Sequence, residues 1–145
     1  MEKTSIQQKT SQIIENLDHL ISEYGANPND SFADGNVAVC IISENGDVYG
    51  KIWGDKKSTG YRFAGLAFRK AIQVWATGYK TGEFERKIFN NELNEEDFGI
   101  QAPEFIGWDG GQPVTLADGE KLSIGFSGFR GFNDIEIVQK ACTNL

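Results

Sequence analysis

The sequence contains one histidine, His19, and two cysteines, Cys40 and Cys142. One imidazole and two distant thiols, without CxxC spacing, cannot supply four protein ligands to a structural zinc. Any Ser-His-Asp arrangement would have to use His19. The two thiols are expected to be free. Long apolar runs are also missing: the longest, Val37 to Ile42, has the length of a strand, against roughly 18 to 20 residues for a membrane helix. Residues 1–12 are polar and carry no apolar stretch of the kind a secretory signal needs, so the chain reads as cytoplasmic and free of the membrane. Positive charge is scarce too, with 14 basic against 21 acidic residues, a net charge of −7 and an isoelectric point near 4.7. Without a basic cluster there is no electrostatic footprint for a nucleic acid.

What is present suits one folded domain spanning residues 1–145: 39% hydrophobic residues for a core and 24% charged residues for a surface. Residues 4–24 place Ile6, Ile13, Ile14, Leu17, Leu20, Ile21 and Tyr24 mostly three or four apart, which predicts an amphipathic helix. Thr4 with Gln7 offers a capping box at its start, and Gly25 a stop. Residues 26–36 read as a loop. Val37 to Ser43 is apolar on both faces, and Asn45-Gly46 turns the chain into a second strand, Val48 to Trp53. Ser58 or Thr59 then caps a helix to about Thr77, whose apolar arc is wide enough to predict burial on more than one side. Thr81 caps a shorter helix to Phe89, and an acidic loop follows to Gln101.

Phe105 to Trp108 reads as a short strand. Pro113 to Leu116 and Lys121 to Ser127 flank Ala117-Asp118-Gly119-Glu120 and form a second hairpin. Asn133 and Glu136 offer a capping pair for the last helix, with Ile135, Val138 and Ala141 inward. Strands arrive as hairpin neighbours, so the fold class is α+β, with a mainly antiparallel five-stranded sheet covered by helices.

Several residues have a chemical reading beside a structural one. Gly125, Gly128 and Gly131 bracket Ser127 and Arg130 just before a helix start. Backbone amides and the helix dipole there suit a carboxylate, with Arg130 as partner; a strand-to-helix turn that needs positive φ accounts for the same glycines. Trp53, Phe63, Phe68, Trp75, Tyr79 and Trp108 suit either a core or the stacking of a flat ligand. Tyr61, Arg62 and Lys70 address acidic ligand groups or remain surface residues. Glu92, Glu95, Glu96 and Asp97 read as a solvated acidic loop rather than a metal cluster.

Gly110-Gly111-Gln112-Pro113-Val114-Thr115, Asp118-Gly119, Ser123 to Gly128 and Asn133-Asp134-Ile135-Glu136 together resemble the closing signature of the GlcG/HbpS-like family. Arg69-Lys70-Ala71 resembles the end of that family's long helix, and Tyr79-Lys80-Thr81 its downstream P-T. With the hairpin at Asn45-Gly46-Asp47, the resemblance spans about residues 36–142. It implies a profilin-like α+β fold, homo-oligomers and small-molecule roles, haem binding first among them. Members of the family include extracellular haem-binding redox sensors, a domain fused to corrinoid adenosyltransferases, and proteins encoded with glycolate utilisation. Some haem-binding relatives supply an axial ligand from the first helix, which by position makes His19 a possible haem ligand. The chain departs from the pattern at Lys51 to Lys56, where relatives carry R-M-D-G-A, and at Phe63, Phe68 and Trp75, where they carry small residues.

The expected ligand-binding residues are therefore His19, Tyr61, Lys70, Tyr79, Thr81, Ser127, Gly128 and Arg130. The expected function is a small-molecule binding module with haem or another tetrapyrrole as ligand. The alternatives are a cofactor-free enzyme moving a proton on a small organic acid, with Tyr61, Tyr79 or His19 as the proton carrier, and an oligomeric accessory protein. A homo-oligomer is expected because the long middle helix has more apolar circumference than one sheet face covers.

Overall fold

The computed structural model describes residues 5–26, 28, 33–100 and 105–145. Helix α1, Ile6–Gly25, opens on a capping box one residue later than the expected pair: the Ser5 hydroxyl accepts from the Gln8 amide at 3.1 Å, and the Gln8 side chain accepts from the Ser5 amide at 3.0 Å. Thr4 lies outside the described residues. Ile13, Leu17, Ile21 and Tyr24 form the buried stripe that the spacing predicts, and Gly25 is the last helical residue, with Ala26 as the C-cap.

Strands β1 (Val37–Ser43) and β2 (Val48–Trp53) form the expected hairpin, with Gly46 at φ 87° in its turn. Helix α2, Lys57–Thr77, begins ahead of both expected caps. Its N-cap is Lys56, whose amide donates to the Asn36 side chain at 3.0 Å, and neither Ser58 nor Thr59 acts as a cap. Gly78, at φ 79°, closes it by donating its amide to the Val74 carbonyl at 2.8 Å. Helix α3, Thr81–Phe89, includes Thr81 as its first residue; Lys80 is the N-cap. A 3₁₀ turn, Glu95–Phe98, interrupts the acidic loop.

Strands β3 (Gly111–Thr115) and β4 (Lys121–Ser127) complete one antiparallel sheet in the order β2-β1-β4-β3. The described residues hold four strands, so the five-stranded expectation is corrected at residues 105–108. The backbone there bonds to side chains instead of a ladder: Ile106 exchanges two hydrogen bonds with the Gln73 amide, at 2.6 and 2.9 Å, and the Trp108 carbonyl accepts from the Thr81 hydroxyl.

The alternation of β1 sorts its side chains. Val37, Val39 and Ile41 join Ile124 and Phe126 of β4 under α1 and the last helix, α4 (Gly131–Ala141). Ala38, Cys40 and Ile42 face Ala67 and Ala71 of α2 on the other side. Small residues predominate on that side because α2 lies close: a Cβ on Gly125 would stand 2.0 Å from the Ala67 carbonyl oxygen. Cys40 and Cys142 are free thiols on opposite faces of the sheet.

Two further expectations are corrected. Helix α4 starts at Gly131 with Arg130 as N-cap, and Asp134 reaches back to accept the Phe129 amide at 2.9 Å, while Glu136 accepts from the Tyr24 hydroxyl at 2.6 Å instead of capping. Helix α2 is not buried on more than one side: Tyr61, Phe68, Ile72 and Trp75 remain exposed, because among the described residues of the single chain no second layer covers its outward face. No helix among the described residues is long and apolar enough to cross a membrane.

Candidate functional site

A cavity of about 490 Å³ opens where α2, the 107–109 segment and the β4–α4 turn meet. That is within the range of roughly 300 to 1,000 Å³ common for small-molecule sites. Phe63, Leu66 and Lys70 enter it from α2, at the three-and-four spacing that puts them on one face. Gln73 continues the same stripe and pins the 105–110 segment through Ile106. Thr81, fully buried, holds that segment from α3: its hydroxyl donates to the Trp108 carbonyl and accepts from the Gly111 amide at 3.2 Å. With the segment anchored at Ile106, at the Trp108 carbonyl and at Gly111, Trp108, 63% exposed, lines the cavity.

The floor is charged. Lys70 is 2% exposed, and its Nζ donates to the Phe126 carbonyl at 3.0 Å and lies 3.7 Å from a carboxylate oxygen of Asp134. Asp134 is itself buried and held by the Phe129 amide at the first turn of α4, where the helix dipole favours a negative charge. Asp109, half-buried, lies against Gly82 in the first turn of α3 and Gly131 in that of α4. Burial pushes the Lys70 ammonium below its ordinary proton affinity, and the charges of Asp134 and Asp109 pull it partly back. Gly110, at φ 130°, makes room for this cluster: a Cβ there would stand 2.6 Å from the Lys70 Nζ and 2.4 Å from the Phe126 oxygen.

Of the eight residues expected at the site, Lys70, Ser127 and Gly128 line this cavity. Thr81 supports its wall from behind. Arg130 stacks over the Phe132 ring at 4.6 Å beside the cavity, while Arg62 from the start of α2 lines it. Tyr61 is 64% exposed on α2 and outside the lining. Tyr79 packs on Phe84 and Phe98, under the Lys87 ammonium. His19 is exposed on α1, across the sheet from the cavity, next to Asp18, which bonds to Lys51 and Trp53. In the 125–131 turn the Phe129 amide is taken by Asp134, and just beyond it the Asn133 and Asp134 amides are taken by the Arg130 carbonyl. Sequence reasoning did not place Asp109, Asp134 or Gln73 at a site. For Gln73 the signal was available, as a polar residue in helical register with Phe63, Leu66 and Lys70.

No protein-family model and no curated protein matches the sequence. Solved structures do match. An HbpS double mutant from Streptomyces reticuli aligns over 100% of this chain and 89% of its own, with a TM-score of 0.70 at 16% identity. The chain has the fold of HbpS. The DUF336 protein ORFY of Klebsiella pneumoniae shares the HbpS fold with it over 98% and 94% of the two chains, with a TM-score of 0.68 and 16% identity. A PduOC:heme complex matches over 99% and 96%, with a TM-score of 0.62 and 18% identity.

Proposed function

We propose that this chain is a small-molecule-binding module of the GlcG/HbpS-like kind, with the 490 Å³ cavity as its site and haem or another tetrapyrrole as the leading ligand. The observation that carries the reading is the cavity's composition: apolar walls from Phe63, Leu66 and a firmly held Trp108, with Arg62 among the lining for an acidic substituent. The solved PduOC:heme complex, which has the same fold, supports the choice of ligand.

The cavity suits the ring and carboxylates of haem and does not suit its iron. Among its lining residues there is no imidazole, thiol, thioether or phenol. In this reading the protein holds the ring by apolar contact and the acidic edge by Arg62, and His19 acts only outside the cavity.

Absorption titration with hemin tests this. The expected result is a saturable Soret change that weakens about tenfold in Arg62→Ala, equivalent to one lost charge-assisted contact, and persists in His19→Ala. A spectrum that does not change removes haem as the ligand. A change abolished by His19→Ala and untouched by Arg62→Ala moves the site to α1.

A second reading has its own observation. A buried amine at 3.7 Å from the buried carboxylate of Asp134 is the kind of pair that does acid–base chemistry without a cofactor, and it favours an enzyme acting on a small organic acid. We also propose self-association through the outward face of α2, where Tyr61, Phe68, Ile72 and Trp75 stay exposed. Sedimentation is expected to show an oligomer that Trp75→Glu dissociates; a monomer at high concentration contradicts it.

A further inference from the structure

Lys70 is unusual in how little holds its charge. A buried ammonium has three donors to satisfy, and among the described residues this one has a single hydrogen bond, to the Phe126 carbonyl, and an ion contact with Asp134 at 3.7 Å, beyond hydrogen-bond length. A neutral amine in the same place keeps two N–H donors, one of them used by the Phe126 carbonyl, and gains a lone pair. Asp134 has a partner besides the lysine, the Phe129 amide, and Asp109 lies against the first turns of α3 and α4.

The side chain also points to the right place. Side chains on a helix lean toward its N-terminus, so Lys70 runs along α2 toward Leu66 and Phe63, into the cavity they line. Gly110 approaches its Nζ without a side chain, and Gly128 and Gly131 line the same cavity. Arg62, two turns nearer the helix start, lines the same cavity and offers a positive charge to an acidic tail.

We infer that Lys70 is a carbonyl-capturing amine, and that the cavity takes an aldehyde or ketone carrying a carboxylate. This rests on the reading of the cavity as a small-molecule site and gives its second form a defined chemistry. The step balances with the groups present. The Lys70 ammonium passes a proton to Asp134, whose carboxylate oxygen lies 3.7 Å from Nζ, and the freed lone pair bonds to the carbonyl carbon as the carbonyl π pair moves to oxygen. Two protons, one returned by Asp134 and one from nitrogen, go to that oxygen. Water leaves as the nitrogen lone pair forms the C=N bond, so ammonium and carbonyl become a protonated imine and water.

The experiment uses 4-carboxybenzaldehyde as probe, with cyanoborohydride to fix the imine, and reads labelled lysines by peptide mass. Binding of 4-(hydroxymethyl)benzoate, which has the same body and acid but no carbonyl, is measured in parallel by calorimetry. The expected result is labelling of Lys70 at least about tenfold faster than any surface lysine, falling to the surface rate in Asp134→Asn while the other lysines are unaffected. Labelling confined to surface lysines, with the alcohol still bound, overturns the inference and leaves the binding site standing. Absence of both labelling at Lys70 and binding of the alcohol overturns the inference together with this cavity as a site for small aromatic acids. If Asp134→Asn unfolds, Arg62→Ala replaces it, and undiminished Lys70 labelling there contradicts the assigned acidic tail.

Discussion

The Nζ of Lys70 and a carboxylate oxygen of Asp134 lie 3.7 Å apart, both side chains buried, one on the helix under one face of the sheet and the other at the start of the helix under the opposite face. The pair joins the two layers at the end of the sheet where the cavity opens. Asp134→Asn keeps an acceptor for the Phe129 amide and removes only the charge, leaving an ammonium buried with no ion partner at that contact. The expected cost is about 3 kcal/mol at neutral pH, read from urea denaturation. Burial lowers the proton affinity of folded Lys70 below its unfolded value of 10.5, so proton release favours the folded chain as pH rises through the folded value toward 10.5. Without Asp134 the folded value falls further, so the penalty in Asp134→Asn should shrink as pH rises from the variant's folded value to the parent's and stay level from there to 10.5. A variant as stable as the parent at pH 7 contradicts the role given to the pair.

Gln73→Ala should loosen the cavity wall. It removes both hydrogen bonds to Ile106, leaving a buried amide and carbonyl without these partners, at a cost of about 1 to 3 kcal/mol. Faster hydrogen exchange at the Ile106 amide, with weaker ligand binding, is the expected signature. Unchanged exchange would show that Thr81 alone holds the segment.

Gly125 and Gly119 make a paired test of why glycine is needed. A methyl on Gly125 would meet the Ala67 carbonyl at 2.0 Å, so Gly125→Ala has to push α2 off the sheet and is expected to abolish cooperative folding. Gly119 has open space around it and only a positive φ of 92°, so Gly119→Ala should cost about 1 kcal/mol. Thermal melts of the two variants separate packing from backbone strain, and equal losses would refute the distinction.

Lys9 ties the start of α1 to Asp118 in the β3–β4 turn, which holds the Asp118 carboxyl below its ordinary value of 3.8. A lowered carboxyl stabilises above its unfolded value, and that contribution is lost as pH falls through the folded one. Asp118→Asn should thus lower the melting temperature slightly at pH 7 and leave it unchanged at pH 2. A difference that persists at pH 2 would point to something other than the charge.

The hairpins and helices were legible because their signals are local: Asn45-Gly46 turns β1 into β2, Gly78 ends α2, and the stripe from Ile13 to Tyr24 repeats at helical spacing. Residues 105–108 misled for the same reason. Their apolar pattern reads as a strand, but the partners of their backbone, Gln73 and Thr81, are far away in sequence. The site followed suit: Lys70, Ser127 and Gly128 were visible as residue types, while Asp109 and Asp134 acquire meaning only when two helix starts and α2 converge. His19 stood out because it is the only histidine, a property of composition that says nothing about the sheet between it and the cavity.

Chemical-shift mapping with iron-free protoporphyrin tests the central claim most directly, since it locates a ligand without assuming how iron is held. The account predicts shifts at the Trp108 indole N–H and at the Gly107, Gly128 and Phe129 amides, with α1 undisturbed. Shifts centred on His19 and its neighbours in α1, with those four signals unmoved, would contradict it.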